Sequence, residues 1–225
     1  MDTSAPVRVC DVRKMYGTGS AQVAALNGVS LTVGRGEMVA LVGPSGCGKS
    51  TLLNLIGCID VPTSGEVYLD GKAVGTLNDD ALTRIRRDRI GTIFQFFNLL
   101  PAMTVAENAA LPLLLQGVAR SIIDERVARA LKQVDIAALA HAYPAQISGG
   151  QMQRAAIARA VIHAPSIVLA DEPTGSLDSR NGEAVLRLLR GLADDGQSLL
   201  VATHANEVVS ACDRIIVLQD GRIVA

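Results

Sequence analysis

The stretch Met38–Thr51, MVALVGPSGCGKST, constrains this chain more than any other. Met38–Val42 is an unbroken apolar run, the pattern of a central strand covered on both faces, and Ser50–Ile56 reads as a helix. Between them Gly43, Gly48, Lys49 and Ser50 hold the fixed places of G-x-x-x-x-G-K-[ST]. That loop belongs between the end of a strand and the start of a helix in an α/β fold. The loop Gly43, Pro44, Ser45, Gly46, Cys47, Gly48 can turn its N–H groups inward around a β-phosphate, and the helix N-terminus adds partial positive charge. Lys49 then reaches the β and γ oxygens, while Ser50, followed by Thr51, offers a hydroxyl to Mg2+. A dinucleotide fingerprint has no use for such a lysine, so the ligand class is a nucleoside triphosphate.

Two further apolar runs, Ile167–Ala170 and Leu199–Ala202, have the same buried-strand character, so the centre is a mostly parallel sheet. In such sheets ligands sit beyond the carboxyl ends of the strands. Asp171 and Glu172 follow the first run directly; Asp171 is placed to hold Mg2+, and Glu172 to orient or deprotonate an attacking water. His204 follows the second run and can bond a γ-phosphate or the water, whereas His141 and His163 have no such position and are read as structural. Gln95 ends the strand-like Ile90–Phe94 and offers a neutral donor and acceptor to Mg2+ and water. Cys47 is either a small filler in its loop or, beside Lys49, a reactive thiol.

With 225 residues and 49% hydrophobic content the chain can bury a sizeable core as one catalytic domain. A formal net charge of −1, with both signs interspersed, gives no stripe to track a nucleic-acid backbone, so no nucleic-acid partner is expected. MDTSAPVRV lacks the marks of a secretory signal, and no apolar run approaches the ~20 residues that span a bilayer. A cytosolic chain is the expectation, with membrane work done through a partner. Cys10, Cys47, Cys58 and Cys212 show no metal-ligand spacing, and disulfides are not expected.

Along the chain, alternation at Val29, Leu31, Val33 and at Val67, Leu69 before Asp70-Gly71 predicts half-buried antiparallel strands. Between Gln95 and Ser148 the character is helical: Thr104–Leu115 is broken by Pro112, and Ile123, Val127, Leu131 and Val134 mark a helix about Asp124–Asp135. A second glycine-rich helix start then follows, Ser148, Gly149, Gly150, Gln151, with Ser148 as N-cap of a helix Gln151–Ile162 that stops before Pro165. One exposed helix terminus contributes ~0.3–1 kcal/mol toward an anion, or ~2 when partly buried. Millimolar binding already needs about 4. This start lacks the lysine and the metal ligand, so it is either a plain cap or acts on a phosphate already held by a second copy's Gly43–Thr51.

These motifs together resemble those of the ATP-binding cassette (ABC) ATPases, over nearly the whole chain. Gly43–Thr51 corresponds to the family's Walker A, Gln95 to its Q-loop and Ser148–Gln151 to its signature. Ile167–Glu172 corresponds to Walker B with the catalytic glutamate, Ser176-Leu177-Asp178 to the D-loop and His204 to the switch histidine. Tyr16 resembles the aromatic that stacks on adenine, with a core tyrosine as the other reading. Ile147 and Ser176 depart mildly from the usual leucine and asparagine.

The resemblance implies an α/β P-loop NTPase fold with a mostly parallel sheet, an antiparallel β subdomain and a helical subdomain. Residues 1–95 and 160–225 would form the RecA-like core, and 96–159 the helical subdomain, with no accessory C-terminal domain. It further implies ATP and Mg2+ as cofactors and a head-to-tail homodimer with two ATP sandwiched, Ser148 and Gly150 touching the γ-phosphate across the interface. Integral membrane permease subunits are the implied partners. FQFFNLLPAMTVAENAALPLLLQGV and YGTGSAQVAALNGVSL resemble the lipoprotein-release, macrolide-export and cell-division branch. Soluble relatives acting on DNA or ribosomes usually carry coiled-coil arms or fused cassettes, and no heptad run is present. A P-loop kinase or switch GTPase would leave Ser148–Gln151 and His204 without a task.

Overall fold

The structure is a computed structural model and describes residues 5–18 and 22–224. Strands β1 (Val7–Tyr16), β2 (Val23–Val33), β4 (Ser64–Leu69) and β5 (Lys72–Ala73) form an antiparallel sheet in the order β2-β1-β4-β5. As the alternation predicts, Val29, Leu31, Val33, Val67 and Leu69 are all buried. A second sheet has the order β10-β9-β3-β8-β7-β6, from β3 (Met38–Val42), β6 (Ile90–Ile93), β7 (Ile167–Asp171), β8 (Leu199–Ala202), β9 (Arg214–Gln219) and β10 (Arg222–Ile223). All its pairings are parallel except that of β10 with β9.

The apolar runs are continuous because each face of this sheet meets a different core. Leu200 and Ala202 point into a cluster with α1 (Lys49–Ile56) and the antiparallel sheet, while Leu199 and Val201 point into one with the helices. Side chains alternate along a strand, so both parities must be apolar.

The other face is covered by α3 (Val105–Leu115), α4 (Arg120–Gln133), α5 (Gly149–Val161) and α6 (Ser179–Asp194). Helix α2 (Asp79–Arg89), capped by Asn78, leads into β6, and the short α7 (Asn206–Ser210) follows β8. Pro112 does not break α3, contrary to the sequence expectation. It removes one N–H bond, but Ala109, Ala110 and Leu113 stay buried on either side, and Gln116 N–H still bonds Pro112 O at 3.1 Å. Helix α4 starts ahead of the expected Asp124, because Ile123 is itself a buried face residue.

Strand order is what assembles the site. With β3, β8, β7 and β6 side by side, Leu41 lies opposite Ala202, Ala202 opposite Asp171, and Ile93 opposite Ala170. The four carboxyl ends therefore finish in one row, where ligands of open α/β sheets bind.

Candidate active site

Gly43 leaves β3 with φ 153°, and Gly48 turns the chain into α1 at φ 109°. A Cβ on Gly48 would stand 2.5 Å from Ala25 O, so glycine is required there both by conformation and by space. As an N-cap Gly48 has no side chain to bond the first turn, which leaves the leading N–H groups of α1 open to an anion. Lys49, 8% exposed as a residue, folds its ammonium back on the loop and donates to Gly43 O at 2.6 Å and Pro44 O at 3.1 Å. The Cys47 thiol is buried on the inner side of the loop, with Lys49 Nζ 3.9 Å from its Sγ. It packs in the core cluster beneath the loop.

Across the row, Ser50 Oγ lies 3.4 Å from Asp171 Oδ2. A hydroxyl and a carboxylate facing each other fit a hard, oxygen-seeking cation such as Mg2+, whose other ligands come from phosphate and water. Glu172 adopts a left-handed backbone, φ 47°, a rare conformation for a residue with a side chain. Its N–H bonds Ala202 O at 2.9 Å and its carbonyl accepts from Gly175 N–H at 3.0 Å, which holds the turn. The carboxylate Oε2 accepts from the Thr203 hydroxyl and the His204 N–H, both at 3.3 Å, and Oε1 lies 3.6 Å from His204 Nε2. Gln95 stands beside Gly175, its Nε2 3.0 Å from where a Cβ would be. Ser45, Gly46, Gly48, Lys49, Ser50, Thr51, Gln95, Asp171, Glu172 and His204 line one open cleft of about 580 Å3.

Ser148–Gln151 is not among the residues lining that cleft. Ser148 Oγ accepts from Gln151 N–H at 3.4 Å and Gln151 Oε1 from Ser148 N–H at 2.8 Å, so the cap itself is made. The N–H groups of Gly149 and Gly150 remain as first-turn donors. Gly150 packs so closely on α6 that a Cβ would meet Asn181 Oδ1 at 2.4 Å.

Tyr16 is 43% exposed, which excludes a core tyrosine. Its hydroxyl donates to Asp60 Oδ2 at 2.9 Å, Lys14 Nζ bonds Asp60 Oδ1 at 2.6 Å, and that ammonium lies 5.0 Å from the ring centre. Partial burial and the bond to Asp60 hold the phenol above its usual value. Burial opposes ionisation of Asp60, yet the bonds from Lys14 and Tyr16 hold its carboxyl below the usual range. Sequence reading missed Asp60, Thr203 and two residues of α5, Gln153 and Arg159. Each matters only through a contact distant in the chain.

Fold and site together define a P-loop nucleoside triphosphatase. The sequence profile described as ABC transporter matches residues 26–175, and the chain belongs to that family as an ATP-hydrolysing, ATP-binding cassette. It is 47% identical to the uncharacterized ABC transporter ATP-binding protein MJ0796 of Methanocaldococcus jannaschii, over 96% of this chain and 94% of that one. It is 44% identical to the macrolide export ATP-binding/permease protein MacB of Shigella flexneri, over 95% of this chain but only 33% of MacB. Among solved structures, dimeric MJ0796 superposes with a TM-score of 0.89, at 45% identity and 97% coverage of both chains. A dimeric post-hydrolysis state of MJ0796 bound to ADP and Pi gives 0.88, with the same identity and coverage.

Proposed function

We propose that this cassette drives a membrane permease by closing head-to-tail on a second copy around two ATP and opening after hydrolysis. The observation that carries this is the separation of the two glycine-rich helix starts: Gly43–Thr51 lines the cleft with the acids, and Ser148–Gln151 does not. Two chains set head to tail complete each other's sites, and the dimeric MJ0796 structures support pairing. A ligand shifts an equilibrium only by unequal affinity for its two states, so γ-phosphate contacts that exist only across the interface couple ATP to closure.

Within one site Lys49 and the loop N–H groups hold the β and γ oxygens, and Ser50, Asp171 and Gln95 are the residues that would hold Mg2+. Mg2+ there would neutralise charge on the phosphate oxygens. Glu172 takes the proton of the attacking water, His204 steadies that carboxylate and the γ-phosphate, and Tyr16 stacks on adenine. Ser148 and Gly150 of the second copy add donors to the γ-phosphate, as an arginine finger does elsewhere. Residues 1–95 with 160–225 act as the core, and 96–159 as the helical part.

Among the described residues no helix is long and apolar enough to cross a membrane. The chain acts from the cytoplasmic face through a permease, and the name of MacB, which joins ATP binding and permease, supports such a partner. Phe96, 72% exposed, and the exposed Leu100 offer apolar surface to a permease segment, whereas Leu99 packs on the core.

Glu172→Gln should lower turnover by about 10²–10⁴ and, with ATP, shift the chain from single to paired on a sizing column. A variant that remains single at saturating ATP overturns this reading, as does isolation of the native chain with nucleic acid in place of an integral membrane protein.

A further inference from the structure

Helix α5 carries Ser148–Gln151 at one end, and two of its other side chains tie it to both catalytic loops of its own chain. Gln153 is 0% exposed, and its Nε2 donates to Pro173 O at 2.6 Å and to Phe94 O at 3.3 Å. Pro173 directly follows Glu172, and Phe94 directly precedes Gln95. Both partners are carbonyls, which forces the amide to present its NH2 to them. Further along α5, Arg159 Nη1 donates to Asn98 O at 2.6 Å and Nη2 to Phe97 O at 2.9 Å. Phe97 and Asn98 are consecutive left-handed residues, φ 63° and 48°, a conformation that must be held from outside. Burial around Arg159 opposes its charge, so those two carbonyls are what keep the guanidinium there.

One helix thus grips the turn Phe94–Asn98 at three carbonyls and the exit of β7 at a fourth. Gln95 stands on the cleft side of that turn and Phe96 on its open side. We propose that Gln153 and Arg159 are positioning residues that make the turn, the Glu172 exit and the Ser148–Gln151 helix start move as one body. Pressure on Phe96 from a docked segment is then delivered to both of the composite sites in which this chain takes part, instead of being absorbed in a soft loop. The inference rests on the paired-cassette reading above. Neither side chain lines the cleft.

The test compares Gln153→Met and Arg159→Met, which keep volume and lose the donors, with Arg159→Lys, which keeps the charge and one donor. In the intact chain the Met variants should keep ATP affinity at high dilution and KM within about twofold of the parent, while Tm falls with the loss of their hydrogen bonds. Their kcat should fall at least about tenfold, and in a Glu172→Gln background the chain concentration needed for ATP-dependent pairing should rise by a similar factor. Arg159→Lys should lie between. Unchanged kcat and pairing overturn the inference, and so does loss of ATP affinity in step with kcat, the mark of a purely structural role. Should the Met variants fail to fold, Arg159→Lys decides: a parental Tm with unchanged kcat overturns the inference, and a parental Tm with lowered kcat at constant KM supports it. If Glu172→Gln alone stays single in ATP, the paired-cassette reading falls, and the kcat-against-KM comparison by itself judges Gln153 and Arg159.

Discussion

At the scale of single residues, the site is a set of side chains held slightly away from their work. Lys49 bonds its own loop, so the cation is already desolvated and partnered before a phosphate arrives, and the loop keeps its shape. Glu172 is held by Thr203 and the His204 N–H, which fixes its carboxylate in the cleft that also holds the Ser50–Asp171 pair. Tyr16 separates two contributions cleanly. Its exposed ring is free to stack on a base, and its hydroxyl is committed to Asp60. Tyr16→Ala should weaken ATP binding by about 3- to 10-fold, the worth of one aromatic stack, while Tyr16→Phe should lose less than half of that on a free-energy scale. Titration calorimetry with ATP measures both, and equal losses would place the binding energy in the Asp60 anchor instead.

Caps and close approaches dominate at the scale of elements. The α1 and α5 starts look alike in sequence, yet α1 opens on an uncapped glycine and α5 on a closed capping box. The first leaves its leading N–H groups open to an anion; in the second Ser148 already takes the Gln151 N–H, so fewer donors remain. Helix α3 begins with Thr104 bonded to Glu107 N–H, while the Glu107 carboxylate returns to the Thr104 N–H at 2.8 Å. Thr104→Ala should cost about 1 kcal/mol of stability, read as a lower urea midpoint, and leave ATP affinity unchanged because α3 does not reach the cleft. Helix α2 had a readable signature in Asn78, Asp79, Asp80 and the closing Arg86, Arg87, Arg89, which the glycine motifs on either side overshadowed. No comparable signal marked Gly150 as a packing residue, since Asn181 lies on another helix.

For the whole molecule, the pH dependence of stability follows from which groups the fold keeps from taking a proton. His163, just beyond α5, is pushed below its usual value by burial, opposed by the bond to Ile90 O and by nearby Asp88. The folded chain therefore refuses a proton that the unfolded chain accepts from about pH 6.5 downward, so this contribution is full above that pH and is lost as pH falls. Asp213, bonded by Met38 N–H and Arg190, and Asp88, bonded by Arg87, are held below the carboxylate range and add their losses only at lower pH. His163→Gln should flatten the slope of unfolding free energy as pH falls below about 6.5 and leave the more acidic, carboxylate limb in place. Urea titrations at a series of pH values show whether it does.

What this sequence determined unaided was the ligand class and the kind of sheet. The phosphate loop lies within a few consecutive residues, and strand burial is written in short apolar runs, so both depend on covalent neighbours. Tertiary structure decided which strands stand beside β3, and hence that Asp171, Glu172, His204 and Gln95 share a cleft while Ser148–Gln151 stays outside it. It also decided the work of Asp60, Gln153 and Arg159. The physical reason is the nature of their contacts. Gln153 and Arg159 bond backbone carbonyls, which every residue carries and no residue letter distinguishes, and Asp60 meets Tyr16 only after the antiparallel sheet has brought distant segments together.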